Sequence, residues 1–514
     1  MYSSVCAGAL NGMSCFVAEV EVDVTKGLPG FDMVGKLSGE VKEARERVMV
    51  ALKNCGIELP PVKITVNISP ADIGKSGTAF DLPIAIGIMV SLGQITGEAC
   101  KDILIIGELG LMGDIKSVSG VLPIVIKAKE SGFRRCMVPI DNAKEAAYVE
   151  GIEIIAVATL VEAIELMCNE EILKEHIFRP DRDCTTQAVS VKKPDYADII
   201  GQEACIRAAT VAAAGFHHML IMGPPGAGKT MIARRLPSIM QPLDTAESLE
   251  VSTIYSISGM LSEDRPYITE RPFMSPHHTT TVNSLAGGGV YPRPGIMSLS
   301  HKGILFLDEF PEFGRECIEV LREPLEEKKI QISRARKTYT YPADFMLVAA
   351  ANPCPCGHYP DRNLCNCSDS MITRYRSRIS GPVKDRIDII VTASRVDADR
   401  IVDEAKLKRG ERMSTMSSAV LAVKVKTALK MQERRFVGTG LRYNSEIPSG
   451  AMEEYCALGD KEKEYMKKVY DSMELTARSY HKILKVARTI ADLDESGDIE
   501  LKHLAEAISY RGNL

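Results

Sequence analysis

Eight consecutive residues, Gly223-Pro-Pro-Gly-Ala-Gly-Lys-Thr230, constrain this chain more than any others. They read G-x-x-x-x-G-K-T, the phosphate-cradling loop of P-loop nucleotidases. The apolar run Met219–Met222 before them is long enough for a buried strand, and residues 231–236 after them carry a helical pattern. Strand, glycine-rich turn and helix is the context the motif requires. Glycine lets consecutive backbone N–H groups converge on phosphate, and the helix N-terminus adds partial positive charge. Gly223, Pro224, Pro225, Gly226, Ala227, Gly228, Lys229 and Thr230 are therefore candidate nucleotide-binding residues. Lys229 is placed to reach the β- and γ-phosphates, and Thr230 to hold Mg²⁺ through its hydroxyl.

A second signature agrees. Gly303-Ile-Leu-Phe-Leu-Asp-Glu309 is an apolar run ending in two acids. A buried parallel strand would carry Asp308 to its carboxyl end, where ligands bind in such sheets. Asp308 then belongs to the Mg²⁺ shell, and Glu309 orients and deprotonates the attacking water. A third apolar run, residues 345–351, ends at Asn352.

The remainder bounds the setting. With 514 residues, 45% hydrophobic and 25% charged, the chain suits about three soluble globular domains. A net charge of −5 excludes a global basic signature, so any nucleic-acid surface must be local. The first ten residues lack the basic region of a signal peptide, and the longest apolar run, from Leu82 to Leu92, is too short to span a bilayer. A cytoplasmic protein without a membrane partner is expected, and its 14 cysteines are expected as free thiols or metal ligands.

Residues 1–170 read as a mixed α and β domain. Strands are expected at residues 15–22, 62–68, 103–106 and 135–138, a helix at 42–54 and a buried helix at 82–92. Residues 171–194, with Pro180 and Thr185-Thr-Gln187, read as an exposed linker. Asp195-Tyr-Ala-Asp-Ile-Ile-Gly-Gln202 precedes a small-residue helix over 204–214; it either packs beside an adenine or simply leads into the core strand. Residues 245–302 show little clean periodicity, and His277-His278 among three threonines reads as a polar loop rather than a metal pair.

Lys328 to Tyr341 carries five basic and no acidic residues, and its alternation about Ser333-Arg334-Ala335 predicts a β-hairpin. Lys328, Lys329, Arg334, Arg336 and Lys337, interleaved with Tyr339 and Tyr341, suit a phosphate backbone with stacked bases. A solvated hairpin face has the same pattern; position just before the Asn352 strand favours nucleic acid. Cys354-Pro-Cys356 and Cys365-Asn-Cys367 are either four free thiols or the ligands of a tetrahedral Zn²⁺ site, with tighter spacing than the usual C-x-x-C. Arg386 is the candidate arginine finger, which would complete a neighbour's site in a ring. Residues 397–514 read as helices, strongly amphipathic over 475–491.

Two resemblances organise these pieces. Residues 1–170 resemble the proteolytic domain of Lon, through Gly107-Glu108 and Gly113-Asp-Ile-Lys-Ser-Val-Ser-Gly-Val121. Ala79 stands where that family's serine belongs and Leu122 where its lysine belongs, so the resemblance implies a fold kept without its chemistry. Ser76 and Lys116 lie nearby in the sequence as a conceivable substitute pair.

The whole chain resembles the magnesium-chelatase-like AAA+ ATPases of the ComM/YifB type. The likeness rests on the two nucleotide signatures, Asn352-Pro-Cys-Pro-Cys-Gly357, Ser380-Gly-Pro382 with Asp385-Arg-Ile-Asp388, and Thr476-Ala-Arg478 with Ala487-Arg-Thr-Ile-Ala-Asp492. Val383-Lys384 departs from the family's usual pair of leucines. The resemblance implies an α/β fold: an AAA+ P-loop core (195–396) with a helical lid (397–514), preceded by a Lon-protease-like (ribosomal S5-like) α+β domain. It further implies a homo-hexameric ATP- and Mg²⁺-dependent motor on single-stranded or branched DNA, a helicase or translocase linked to branch migration in natural transformation. Asn352 becomes the γ-phosphate sensor, Lys328 to Tyr341 the pre-sensor hairpin and Arg478 the second sensor. Three rivals stay open: a chelatase-type ATPase driving a protein partner, an unfoldase-coupled protease and an ATP-assembled scaffold.

Overall fold

The computed structural model describes residues 1–179, 194–289, 292–334, 337–395 and 416–511. Pro180, Thr185-Thr-Gln187, Ala335, Arg336 and residues 397–415 lie outside the described residues.

The first domain is built on a seven-stranded mixed sheet in the order β3-β4-β2-β1-β5-β6-β7. The strands are β1 (Tyr2–Asn11), β2 (Ser14–Lys26), β3 (Gly30–Val34), β4 (Val62–Ser69), β5 (Ile103–Ile105), β6 (Arg135–Pro139) and β7 (Glu153–Val157). β1, β2 and β4 pair antiparallel; the outer neighbours join parallel. Helices α1 (Gly39–Asn54) and α2 (Asp81–Ser91) pack with Val5, Ala7 and Ala9 on one face, and α3 (Val121–Glu130) covers the other. α1 starts a turn before the expected position because Ser38 caps it, its hydroxyl accepting from the Val41 N–H. α2 is buried almost all round, as its unbroken apolar run requires. After α4 (Leu160–Cys168), Asn169 caps a further short helix, Glu170–Glu175, whose Leu173 is buried against this domain. The start of the expected linker is thus folded.

The second unit holds a five-stranded parallel sheet in the order β9-β10-β13-β8-β14. Its strands are β8 (Met219–Met222), β9 (Phe273–Met274), β10 (Ile304–Leu307), β13 (Met346–Ala351) and β14 (Ile389–Thr392). β11 (Lys329–Arg334) and β12 (Lys337–Pro342) form a separate antiparallel hairpin. Successive residues of β10 face opposite cores: Ile304 and Phe306 on one side, Leu305 and Leu307 on the other. The first of these cores is shared with α5 (Glu203–Gly215) and the C-terminal helices α8 (Ser418–Arg435), α9 (Asp460–Ser472), α10 (Ala477–Leu493) and α11 (Leu501–Ser509). A buried network ties those helices together: Asp492 accepts from Arg435 at 2.5 Å, from Asn444 at 2.8 Å and from Arg488.

One expectation is corrected here. Part of the stretch 245–302 is regular: α7 (Thr245–Ile257) follows α6 (Lys229–Arg235) and is opened by a capping box of Asp244 and Glu247. Its periodicity is masked because its buried faces carry serines. The Ser252 hydroxyl accepts from the Ile268 N–H at 2.9 Å, and Ser256 donates to Glu145 of the first domain at 2.5 Å. The Leu122 N–H donates to the same Glu145 and to the Ser256 hydroxyl. Leu122 is therefore packed under α7.

Candidate nucleotide site and its surroundings

The three central strands β8, β13 and β10 bring their carboxyl ends together, and each delivers one piece of the site. From β8 the chain turns at Gly226 and Gly228, with φ of +77° and +83°, into α6. These left-handed angles are open to glycine without strain. Lys229, at the helix start, donates to the carbonyl oxygens of Gly223 at 2.8 Å and Pro224 at 2.9 Å, and to Asn352 Oδ1 at 3.1 Å. Burial lowers the Lys229 ammonium below its ordinary pKa, with Asp308 and Glu309 opposing. Thr230 Oγ1 donates to Asp308 Oδ2 at 2.7 Å. Asn352 follows β13 directly, and Asp308 and Glu309 follow β10. The arrangement can cradle a triphosphate on backbone amides, offer a hydroxyl and a carboxylate to a divalent cation, and set the Glu309 carboxylate at the strand end, where it can meet a water.

Glu309 adopts φ +52°, a costly conformation for a residue with a side chain. Its carboxylate meets His278 Nδ1 at 3.3 Å. In sequence, His277-His278 reads as a polar loop, with a metal pair as its alternative. No local pattern links His278 to Glu309.

The cysteine loop leans on this site. A Cβ on Gly357 would lie 2.5 Å from Pro225 Cδ in the phosphate loop. The four sulfurs of Cys354, Cys356, Cys365 and Cys367 all lie within 4.8 Å of one another. Cys354 Sγ is 3.4 Å from Cys356 and 3.7 Å from Cys365, and Cys356 is 3.6 Å from Cys365. A tetrahedral Zn²⁺ with Zn–S of about 2.3 Å requires sulfurs about 3.8 Å apart. The thiols titrate together: the backbone N–H of His358 helps bring Cys356 down to about 6, while Cys365 is pushed up to about 11 and Cys367 is also raised.

Arg386 and Arg478 converge elsewhere. Arg386 is 8% exposed and pairs with Glu326, while its Nη1 donates to the Pro382 carbonyl at 2.6 Å. Arg478 reaches the same Glu326 at 3.6 Å. Among the described residues neither is bonded to the phosphate loop. Upstream, Tyr196 is fully buried and its hydroxyl donates to the Ile232 carbonyl of α6 at 2.9 Å.

In the hairpin, Ile330 pairs with Tyr341 and Ile332 with Tyr339. Tyr341 is fully buried, its hydroxyl bonded to Pro292, which removes it from the side chains open to a base. Lys328 pairs with Asp344 at 3.4 Å and with Glu446, and Lys329 with Glu327 at 3.7 Å. Arg334 and Lys337 face each other at the tip, beside the undescribed Arg336. In the first domain, Lys116 is held by Asp114 at 2.5 Å.

Three family descriptions match the chain: subunit ChlI of Mg-chelatase over residues 20–142, magnesium chelatase subunit ChlI over 195–401, and the ChlI C-terminal region over 415–511. The chain is 38% identical over 510 residues to the uncharacterized protein YifB of Escherichia coli, covering 99% of this chain and 97% of that one. It is 38% identical over 517 residues to the competence protein ComM of Haemophilus influenzae, with the same coverage. A shorter likeness, 27% over 186 residues, joins 32% of the chain to Lon protease 2 of Bacillus subtilis. Among the described residues no helix is long and apolar enough to cross a membrane. With the site's geometry and a likeness running nearly end to end, the chain belongs to the ComM/YifB-type family of magnesium-chelatase-like proteins.

Proposed function

We propose that this chain is an ATP- and Mg²⁺-dependent cytoplasmic motor that acts on DNA as a ring of its own copies. The observation that carries it is the convergence of Lys229, Thr230, Asp308, Glu309 and Asn352 at adjacent strand ends. Bound Mg²⁺ would neutralise charge on the β- and γ-phosphates. Lys229 holds those phosphates, Asn352 orients the γ-phosphate, and Glu309 accepts a proton from the attacking water. Arg386 acts as the finger of a neighbouring copy. Arg478 contacts nucleotide from the lid as the second sensor, and in this structure it shares Glu326 with Arg386.

The DNA part is supported by the basic hairpin and by similarity to a protein named for competence. Branch migration during transformation or recombination is the process we assign. Residues 1–170 serve as a Lon-like domain without its dyad, 195–396 as the AAA+ core and 397–514 as its lid. The four cysteines hold Zn²⁺ as a cross-link between the two ends of their loop. A second reading, an ATPase that remodels a protein partner as a chelatase subunit does, is favoured by the family descriptions.

The test is the steady-state ATPase rate with and without single-stranded and forked DNA, at low and moderate salt. Several-fold stimulation that fades with salt supports the DNA motor. Turnover indifferent to DNA transfers the assignment to the second reading.

A further inference from the structure

We propose that the cleft between the first domain and the hairpin binds one strand of nucleic acid through its phosphates. This rests on the DNA-acting function above and extends its contacts to the Lon-like domain. The cleft has a volume of about 930 Å³, at the upper end of the about 300–1,000 Å³ usual for ligand sites. Lys36 and Lys75 line it from the first domain, Arg334 and Lys337 from the hairpin, and Arg293 from the segment beneath. Glu40 is the one carboxylate in the lining, and it already accepts from the Gly77 N–H at 3.1 Å. The Lys75 ammonium donates to the Pro70 carbonyl and so contributes field rather than contact.

Among the described residues, none of Lys36, Arg293, Arg334 and Lys337 is in an ion pair. Four exposed or half-exposed cations without ion-pair partners around one cavity, in a chain of net charge −5, make its potential locally positive and attract a polyanion. Tyr339 supplies an aromatic ring to the same cleft and lies against the turn at Gly12, where a Cβ would come within 2.8 Å of it. Cations with an aromatic platform suit a single strand, whose bases are free to stack. Ala79, at the position of a Lon-type serine, lies in the wall, so the cleft occupies the place of the lost peptidase centre. An extended neutral peptide would leave the cations uncompensated.

The experiment is fluorescence anisotropy of labelled oligo(dT) across a salt series, with the unaltered protein and with Lys36→Ala/Arg293→Ala. Both substitutions lie outside the hairpin. Each lost phosphate contact lowers the slope of log K against log salt by about 0.7, so the double variant should lose about 1.4. If the unaltered protein binds and the variant keeps its affinity and slope, the cleft proposal is overturned while the DNA function stands. If the unaltered protein does not bind oligo(dT), the DNA function fails and the cleft with it. Should the variant not fold, oligo(dT) carrying 4-thiothymidine is photocrosslinked to the unaltered protein. Crosslinks in peptides containing Lys36 or Ser76 support the cleft; crosslinks confined to other regions overturn it.

Discussion

Replacing Gly357 with alanine tests whether the cysteine loop sets the geometry of the phosphate loop. Two costs follow from the structure. Gly357 has φ +83°, where an L-residue costs about 1–2 kcal/mol. The new Cβ would also lie 2.5 Å from Pro225 Cδ and 3.3 Å from its Cγ. Carbon atoms settle at about 3.5–4.0 Å, so the proline ring must retreat by about 1 Å. That ring is fixed to the backbone that cradles phosphate and cannot swing aside like a long side chain. A misplacement of about 1 Å can cost about 10²-fold in a positioned reaction. We expect kcat/KM for ATP to fall ten- to a hundredfold, with weaker binding of a fluorescent ATP analogue. Gly438→Ala is the matched control, with φ +78° and nothing within 4 Å of the added Cβ. It should cost stability alike and leave nucleotide binding alone. If Gly357→Ala turns over ATP as the unaltered protein does, or if both variants lose nucleotide affinity equally, the coupling between the two loops is refuted.

Purified protein should carry about one Zn²⁺ per chain, and Cys354→Ser should lose it together with ATP affinity; elemental analysis finding no zinc would leave the sulfurs as free thiols. Arg386→Ala and Arg478→Ala should be strongly non-additive in ATPase rate because both arginines meet Glu326, whereas simple additivity would separate their roles. His278→Ala should change the ratio of DNA-stimulated to basal turnover by about 1.5- to 5-fold, the scale of a half-exposed pair, and an unchanged ratio would make the contact with Glu309 incidental. Burial pushes the Asp388 carboxyl up, but Lys482 at 2.6 Å and His217 hold it well below its ordinary range. The unfolded chain then binds the extra proton first, so this stability is complete above about pH 4 and is lost as pH falls below it. Thermal unfolding should show that acid loss in the unaltered protein and not in Asp388→Asn/Lys482→Met; identical profiles would contradict it.

The parts of the site that sequence made legible are those whose chemistry is fixed locally. A phosphate cradle needs its glycines and lysine at set spacing, and an acid pair after an apolar run needs only its own strand, so Gly223 to Thr230 and Asp308 could be placed without any tertiary knowledge. What stayed hidden depends on partners far along the chain. β1 centres the first sheet yet carries no strand signal in sequence, because Ala7, Gly8 and Ala9 are small and helices cover both faces, which leaves no polar alternation to read. α7 was obscured by serines whose bonds run to Glu145 and Ile268. Glu326 carried no signal at all, since its meaning lies in the two arginines it gathers.

The hairpin shows where the boundary falls. Its alternation was legible, and alternation alone puts Tyr339 and Tyr341 on the same face, with Ile330 and Ile332 opposite them in the partner strand. Nothing in the pattern says how deep that face sinks. At the base it enters the core, and Tyr341 is sealed there by Pro292. At the tip the core has ended, and the same face turns to the first domain, where Tyr339 meets Gly12. The aromatic side of the hairpin is thus directed at the Lon-like domain rather than at open solvent. A strand of DNA that used both the tyrosine and the tip cations would have to pass between the two domains. Under the proposed DNA-acting function, that path would run past Lys36 in the first-domain wall of the cleft.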